Sequence, residues 1–263
     1  MGIKDFLKTV LGNGKLVSDY GEEMPRDFIN GKKIAVDAFN VIYKNMYVLK
    51  EHLTHEGRVT THIKITLQKI RMLRARGVQQ LWVFDDHYNN PLKIETQQKR
   101  TLKLSRDHVA EIKKLLSLCG IKWIAVKTEA EFYAAELSRG PFDYVLSTDA
   151  DVIIRGGKLL KETRDGYTVF DGQAIMDDLK ISQETFAKIG VMLGCDFAPK
   201  TPRVGPKSVW KKLHLELTPR QEEAVEFLTH KIDLRGVISA SPKTEEEDTE
   251  RLNEWLRELG FKI

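Results

Sequence analysis

The stretch YVLSTDADVII, residues 144–154, decides the fold class because it joins a short apolar run to a pair of aspartates. Three similar runs precede it: KIAVDAF at 33–39, LWVFDD at 81–86 and IKWIAVKTEAE at 121–131. Such runs are typical of parallel strands that are buried on both faces. Apolar residues at helical spacing follow them and predict helices at 41–53, 61–76, 93–118 and 129–139. The alternation predicts an α/β fold with a doubly wound parallel sheet.

Acidic residues fall at the end of each predicted strand, where a doubly wound sheet binds its ligands. One further acid leads into a later helical segment. The seven acids are Asp37, Asp85, Glu129, Glu131, Asp149, Asp151 and Asp196. Two hard cations can hydrolyse a phosphodiester by activating water and by neutralising charge on the attacking and leaving oxygens. Because Mg²⁺ is usually held by a few carboxylates, this set predicts a divalent-metal site for phosphodiester hydrolysis.

Each acid also has a reading that involves no metal. Asp37 or Asp85 alone would fit a helix cap or a turn. Thr128 and Glu131 have the spacing of a capping box. The Asp-Ala-Asp at 149–151 fits a loop pair or the Asp-x-Asp of an aspartyl phosphatase, although the threonine expected after it is absent. The agreement of all the clusters favours the metal site, because converging like charges repel unless a cation or bound protons neutralise them.

Composition narrows the class of protein. The chain has 263 residues, 41% hydrophobic and 30% charged, which is ordinary for an ordered globular protein. No apolar stretch is long enough for a membrane span, and the start lacks the core of a signal peptide, so we expect an intracellular protein of the nucleus or cytoplasm. The net charge of +4 is weak support for nucleic-acid binding, and it becomes stronger if seven acids are committed to metal ions.

The pattern changes at about residue 182. Ser182 can cap a helix through QETFAKIGVMLG, and CDFAPKTPRVGPKSVWKKL then predicts a turn marked by Gly and Pro and a second helix. Further helices are predicted at 218–230 and 246–259, joined by a polar and mobile connection, DLRGVISASPKTEEED. We predict an α/β core at 1–181 with a short cap at about 88–108, and a helical region at 182–263 packed with it as one body.

Several motifs together resemble the flap endonuclease branch of the structure-specific 5′ nucleases. They are MGIKDF, IAVDAFNVIY, WVFDD, LLSLCGIKW, TEAEFYAAEL, STDADVIIRGG and MLGCDFAPKTPRVGPKSVWKKL. The resemblance implies a PIN-like parallel central sheet flanked by helices, with a C-terminal helix-two-turns-helix DNA-binding region. It implies that the seven acids hold two Mg²⁺ or Mn²⁺ ions.

The resemblance also implies roles for other residues. Lys93 and Arg100 would lie beside the scissile phosphate, with Asp37 and Asp85 also in catalytic positions. Seven residues apart on one helix face, Lys93 and Arg100 could reach the same phosphate, although a solvated basic face is the simpler reading. Tyr43 would stack on a nucleobase, where a half-buried helix tyrosine is the alternative. Gly2 would lie close to the metals.

The segment RVGPKSVWKK resembles the element with which this family grips the backbone of duplex DNA. The resemblance assigns DNA contacts to Gly205, Lys207, Lys211 and Lys212, and a candidate monovalent-cation site to the 203–207 turn. Backbone contacts of this kind predict recognition of DNA structure without base sequence.

Two departures from the family pattern affect the expected substrate. Arg203 stands where the family usually has a glycine, so either the turn is strained or it is redrawn. The segment after Arg100 is about a dozen residues long, too short for the usual two-helix arch, so selection for a free 5′ end is expected to relax. No sliding-clamp motif is present, and we expect a monomer.

The sequence therefore predicts a metal-dependent 5′ nuclease that cuts branched DNA such as flaps, gaps or related junctions in replication, repair or recombination. A 5′→3′ exonuclease or a junction resolvase is the alternative within the same superfamily. A non-catalytic DNA-binding scaffold and a ribonuclease of the related toxin type are alternatives from other classes.

Overall fold

A computed structural model describes residue 3 and residues 5–46, 57–86, 92–93, 104–242 and 246–261. Within these ranges the sheet has eight strands. The strands are β1 Glu22–Pro25, β2 Lys33–Asp37, β3 Gln79–Asp85, β4 Lys122–Val126, β5 Tyr144–Leu146, β6 Lys158–Glu162, β7 Gly166–Asp171 and β8 Ile238–Ala240. The helices are α1 Ala38–Met46, α2 Thr61–Arg74, α3 Arg106–Leu118, α4 Ala130–Ser138, α5 Asp151–Ile154, α6 Gly172–Leu179, α7 Gln183–Leu193, α8 Pro219–Thr229 and α9 Thr249–Glu258.

The sheet is parallel at its centre and antiparallel at its edges. Its strand order is β1-β7-β6-β5-β2-β3-β4-β8. The five strands from β6 to β4 run parallel, and β7, β1 and β8 are antiparallel additions. The predicted α/β class with a parallel central sheet is confirmed.

Alternating residues of the central strands pack into two hydrophobic cores, one on each face of the sheet. On β2, Ala35 packs with the core that contains α4 to α8, while Ile34 and Val36 pack with the core that contains α1, α2, α3 and α9. This burial on both faces explains why the strands read as continuous apolar runs. Since α7 and α8 lie on one face and α9 on the other, both helical layers continue past residue 182. The boundary at 181/182 stays a prediction.

Three local expectations were wrong. The strands predicted at 121–131 and 144–154 end at Val126 and Leu146, since a turn or a helix begins at the acids that follow them. The second helix of the predicted helix-turn-helix is only a 3-10 turn at Trp210–Lys212. There the amides of Ser208, Lys212 and Leu213 donate to carbonyls three residues earlier, which is the 3-10 pattern. The connection predicted as mobile contains β8, which pairs with β4.

The N-terminal segment packs against the turn that follows α7. The amide of Val10 donates to the carbonyl of Pro206 at 3.0 Å. Gly12 lies against the indole of Trp210 so closely that a Cβ there would overlap the ring. The segment thereby fixes the turn to the body of the protein. None of the described helices has the length and apolar character that a bilayer crossing requires.

Arg155 joins α8 to the core from a position that is 1% exposed. Its guanidinium donates to the carbonyls of Leu228 and His230 at 2.8 and 2.7 Å, and so caps the C-terminal end of α8. It also lies 4.5 Å from the ring centre of Phe132 and 3.4 Å from a Glu136 carboxylate oxygen. These contacts make Arg155 a buried polar link between α8 and α4.

We expect Arg155→Met to lower the free energy of unfolding by about 3 kcal/mol, because several buried acceptors lose their donor. Arg139→Met is the matched control: Arg139 contacts the same Glu136 oxygen at 3.4 Å, but its side chain is 39% exposed, so we expect less than about 0.5 kcal/mol. Urea unfolding of both variants measures the difference. Equal losses for the two arginines would contradict the assignment.

Candidate metal centre and nucleic-acid interface

The carboxyl ends of the central strands bring the predicted acids into one cavity of about 550 Å³. Asp37 and Asp85 are the last residues of the paired strands β2 and β3. The other acids follow β4 and β5 or the end of α7. Six of the seven line the cavity: Asp37, Asp85, Glu129, Glu131, Asp149 and Asp196. The seventh, Asp151, is buried directly beside it at the start of α5.

Two groups of three carboxylates are close enough to hold cations. Asp85, Glu129 and Glu131 form one group, and Glu131, Asp149 and Asp151 form the other; within each group the ligand atoms lie within 4.8 Å of one another. Glu131 belongs to both, so the two positions are adjacent. One oxygen of Asp151, Oδ1, is buried and has no hydrogen-bond partner within the described part of the chain. An orphaned carboxylate oxygen among other hard oxygen ligands fits a divalent cation.

The capping-box alternative is wrong for this segment. Helix α4 begins at Ala130 with Glu129 as its N-cap, and no side chain of the cap accepts a bond from the helix. Instead Asp85 accepts a bond from the amide of Ala130 across the sheet. Because Glu131 is not used in a capping box with Thr128, its carboxylate is available to both groups.

Asp37 and Asp196 lie in the cavity but outside the two close groups. Asp37 accepts hydrogen bonds from the Ser147 hydroxyl at 2.8 Å and from the amide of Asn40 at 3.2 Å. The same Ser147 oxygen accepts from the amide of Asp149 at 3.1 Å, which ties the two acids together. Sequence reasoning missed Ser147, although its place before Asp149 in STDAD was a usable signal.

Burial and mutual repulsion make these acids hard to ionise in the absence of a cation. Burial, with the charge of Asp85, raises the pKa of Asp37 to about 7. Burial and the neighbouring acids raise the pKa of Glu131 and of Asp151 well above the ordinary range, and burial raises that of Asp149. The folded protein must take up protons or cations here.

We expect divalent metal to stabilise the protein more at pH 8 than at pH 5. A carboxylate whose folded pKa is raised contributes stability below its unfolded pKa, near 4, and loses it as pH rises through about 7, the value for Asp37. Bound Mg²⁺ would compensate the ionised groups. Thermal unfolding with EDTA and with Mg²⁺ at both pH values tests this expectation. Asp37→Asn is expected to reduce the change of Tm with pH in the absence of metal. A gain in Tm that is independent of pH would contradict it.

Lys93 lies at the edge of this cavity. Its ammonium contacts a Glu129 oxygen at 2.6 Å while the side chain is 42% exposed. Burial lowers the pKa of Lys93, but the charges of Glu129, Glu131 and Asp85 outweigh this effect and raise the pKa above its usual value. The side chain is therefore a cation held beside the carboxylates. Arg100 and Gly2 lie outside the described residues, and their roles stay predictions.

Tyr43 also lines the cavity. Its hydroxyl accepts a hydrogen bond from the amide of Leu104 at 3.2 Å, and its ring lies 6.3 Å from that of Phe39. The tyrosine is thus half-buried, as the simpler reading expects, and also faces the space above the carboxylates. The stacking of Tyr43 on a nucleobase stays a prediction.

The turn after α7 keeps the shape that the family's glycine would allow. Arg203 has a φ of 59°, in the left-handed region, which costs a non-glycine residue roughly 1–2 kcal/mol. The ammonium of Lys212 donates to the Arg203 carbonyl at 2.6 Å and supports the turn. Lys207 and Lys211 are exposed beside it, while Gly205 has open space around its Cα. Of the two alternatives, a strained Arg203 or a redrawn turn, the structure has the strained Arg203.

Comparisons with known proteins agree with this architecture. The XPG N-terminal domain matches residues 1–107 and the XPG I-region matches residues 120–196, which together make up most of the chain. A flap endonuclease 1 of Leishmania major is 26% identical over 254 residues, covering 77% of this chain and 63% of that protein. The chain thus spans a little under two thirds of the length of this relative.

Two solved structures share the fold. Flap endonuclease-1 from Methanococcus jannaschii superposes with a TM-score of 0.76 at 19% identity, covering 92% of this chain and 91% of that one. The catalytic core of Rad2 in complex with DNA substrate gives 0.72 at 18% identity, covering 92% of each chain. The family matches, the shared fold and the carboxylates at the strand ends lead to one conclusion: the chain belongs to the flap endonuclease branch of the structure-specific 5′ nuclease superfamily.

Proposed function

We propose that this chain is a structure-specific 5′ nuclease that cleaves branched DNA by two-metal-ion phosphodiester hydrolysis. The observation that carries the proposal is the pair of three-carboxylate groups that share Glu131. Two adjacent cations, Mg²⁺ or Mn²⁺, would supply an activated water and neutralise charge on the phosphodiester oxygens. A non-catalytic scaffold would have no need of so many converging buried acids.

The residues of the cavity have different proposed roles. Asp85, Glu129, Glu131, Asp149 and Asp151 hold the cations, and Asp37 and Asp196 complete the acidic lining. Lys93 places a positive charge at the edge of the cavity, where a phosphate oxygen of the substrate can accept a hydrogen bond from it. Tyr43 offers an aromatic face to a nucleobase next to the cleaved bond.

The turn after α7 is proposed to bind the duplex part of the substrate. Its open Gly205, the exposed Lys207 and Lys211, and the supporting Lys212 suit contacts with the phosphate backbone. Arg203 adds a cation at the same place, and the 203–207 turn stays a candidate monovalent-cation site. Since none of these groups reads base edges, recognition of DNA structure is expected to be independent of sequence. The monomeric state and the location in nucleus or cytoplasm stay predictions.

The lengths of the products on a panel of DNA structures test the proposal. Flap, gap, bubble and four-way junction DNAs, each labelled at the 5′ end, are incubated with Mg²⁺ or with a chelator. Oligonucleotide products on the flap that need Mg²⁺ support the endonuclease. Mononucleotides alone would indicate a 5′→3′ exonuclease, and symmetric cuts confined to the junction would indicate a resolvase. Binding without any cut in Mg²⁺ or Mn²⁺ would refute the enzyme and leave the scaffold.

A further inference from the structure

The cavity is also lined by cationic side chains that are not among the predicted catalytic residues. They lie in a part of the lining that comes from α1 and from the residues that lead into α3: Phe39, Tyr43, Lys44, Leu104, Arg106 and Val109. The hydrogen bond between the Leu104 amide and the Tyr43 hydroxyl joins the two segments at 3.2 Å. Lys44 and Arg106 come from these two joined segments, and both line the cavity.

Lys44 is a half-buried cation that no carboxylate neutralises among the described residues. Its ammonium donates to the backbone carbonyl of Glu162 at 3.0 Å. Both carboxylate oxygens of Glu162 are instead bonded by Lys69, at 2.8 Å each. Burial lowers the pKa of Lys44. The charge of Glu162 acts to raise it, and the charges of Lys69 and Lys161 act to lower it. Placing an unpaired ammonium here costs stability that an anion would restore.

Arg106 is the second such cation. It is exposed at the start of α3, lines the cavity, and has no ion pair within the ranges that the structure describes. Lys93 differs from both, because Glu129 already pairs with it. Among the described residues that line the cavity, Lys93 is therefore paired with an acid, whereas Lys44 and Arg106 have no carboxylate partner.

We propose that Lys44 and Arg106 form a phosphate subsite that binds a phosphodiester of the single-stranded arm next to the one that is cleaved. The proposal rests on the proposed function and specifies how the same cavity holds its substrate. The strand would place the cleaved phosphate over the carboxylates, a base against Tyr43 and Phe39, and the neighbouring phosphate between the two cations. A substrate with a nucleotide on each side of the cut would gain from this subsite, and a free mononucleotide end would not.

The test combines charge removal on the protein with charge removal on the DNA. Lys44→Met and Arg106→Met, singly and together, are compared with Lys33→Met and Arg164→Met, which lie on the N-terminal end of β2 and in the β6–β7 turn. Flap DNA carries one neutral methylphosphonate at successive linkages of the arm, and affinity is measured with Ca²⁺ in place of Mg²⁺. The folded state of each variant is checked by thermal unfolding, and Lys44→Gln with Arg106→Gln replaces any variant that does not fold.

We expect the double variant to bind unmodified flap about tenfold more weakly, with the salt dependence of log affinity reduced by about 0.7 for each lost phosphate contact. A methylphosphonate at one particular linkage should weaken DNA binding by the wild type and leave DNA binding by the double variant unchanged. An unchanged salt dependence, or the same methylphosphonate pattern in both proteins, would overturn the subsite. Failure of the wild type to cut any branched DNA with Mg²⁺ would instead refute the proposed function, so the two outcomes are distinguishable.

Discussion

Asp151→Asn is expected to lower kcat on a 5′ flap by about 10³-fold or more while DNA affinity stays within a few-fold of wild type. Asp151 lies in the close group with Glu131 and Asp149, and its Oδ1 is buried with no hydrogen-bond partner among the described residues. Asparagine keeps the size of the side chain but removes its charge, so one cation position is weakened. The basic residues that are proposed to bind DNA are unaffected.

Single-turnover cleavage and a separate binding measurement check this expectation. Asp165→Asn in the exposed β6–β7 turn is the matched control and should cleave at the wild-type rate. Metal-free Asp151→Asn should also unfold at a higher temperature than metal-free wild type above pH 7, since one repelling buried charge is gone. Cleavage at the wild-type rate would remove Asp151 from the metal site.

Lys93→Ala is expected to reduce kcat by about 10²- to 10³-fold with little change in affinity. The ammonium of Lys93 lies 2.6 Å from Glu129, at the edge of the cation positions, where it can interact with charge that grows on the phosphate during the reaction. A contact of this kind stabilises the transition state more than the bound substrate, so its loss appears in kcat.

The control for Lys93 is Lys33→Ala, which removes an equivalent charge at the opposite end of β2. It should leave both kcat and affinity unchanged. A loss of affinity at constant kcat in Lys93→Ala would show that this lysine only attracts DNA. Stability must be measured as well, because the variant leaves Glu129 without its counter-ion.

The carboxylate centre was predictable because its geometry follows from topology. Once the apolar runs around Val36 and Val83 are taken as parallel strands, their carboxyl ends must lie side by side. Asp37 and Asp85 close those strands, so their meeting needs no knowledge of side-chain packing. The same logic brought in Asp149 and Asp151.

The edges of the sheet were harder to predict. The β6–β7 hairpin carries an Asp165–Gly166 dipeptide between apolar stretches, which is a hairpin signal. The prediction of alternating strands and helices did not include this hairpin. The three-residue strand β8 has no pattern of its own, because its strand conformation comes from pairing with β4. Short edge strands depend on the partner more than on their own sequence.

Some site features depend on contacts that a sequence does not contain. Arg155 follows an apolar run and precedes two glycines, and an arginine would ordinarily be placed on the surface. It is buried because its guanidinium donates to the carbonyls at the end of α8. Lys44 lacks a carboxylate partner because Lys69 bonds both carboxylate oxygens of Glu162, which the sequence does not reveal. In both cases the decisive partner lies far along the chain.

The packing of the N-terminal segment has a consequence for the order of folding. Val10 bonds Pro206 and Gly12 lies on Trp210, so this segment reaches its native place only after the residues following α7 have been made. During synthesis these residues must wait for a segment that is made much later. Contacts between such distant parts of a chain slow folding, because the intervening loop must close before they form. The turn that is proposed to grip DNA would therefore be among the last parts of the molecule to mature.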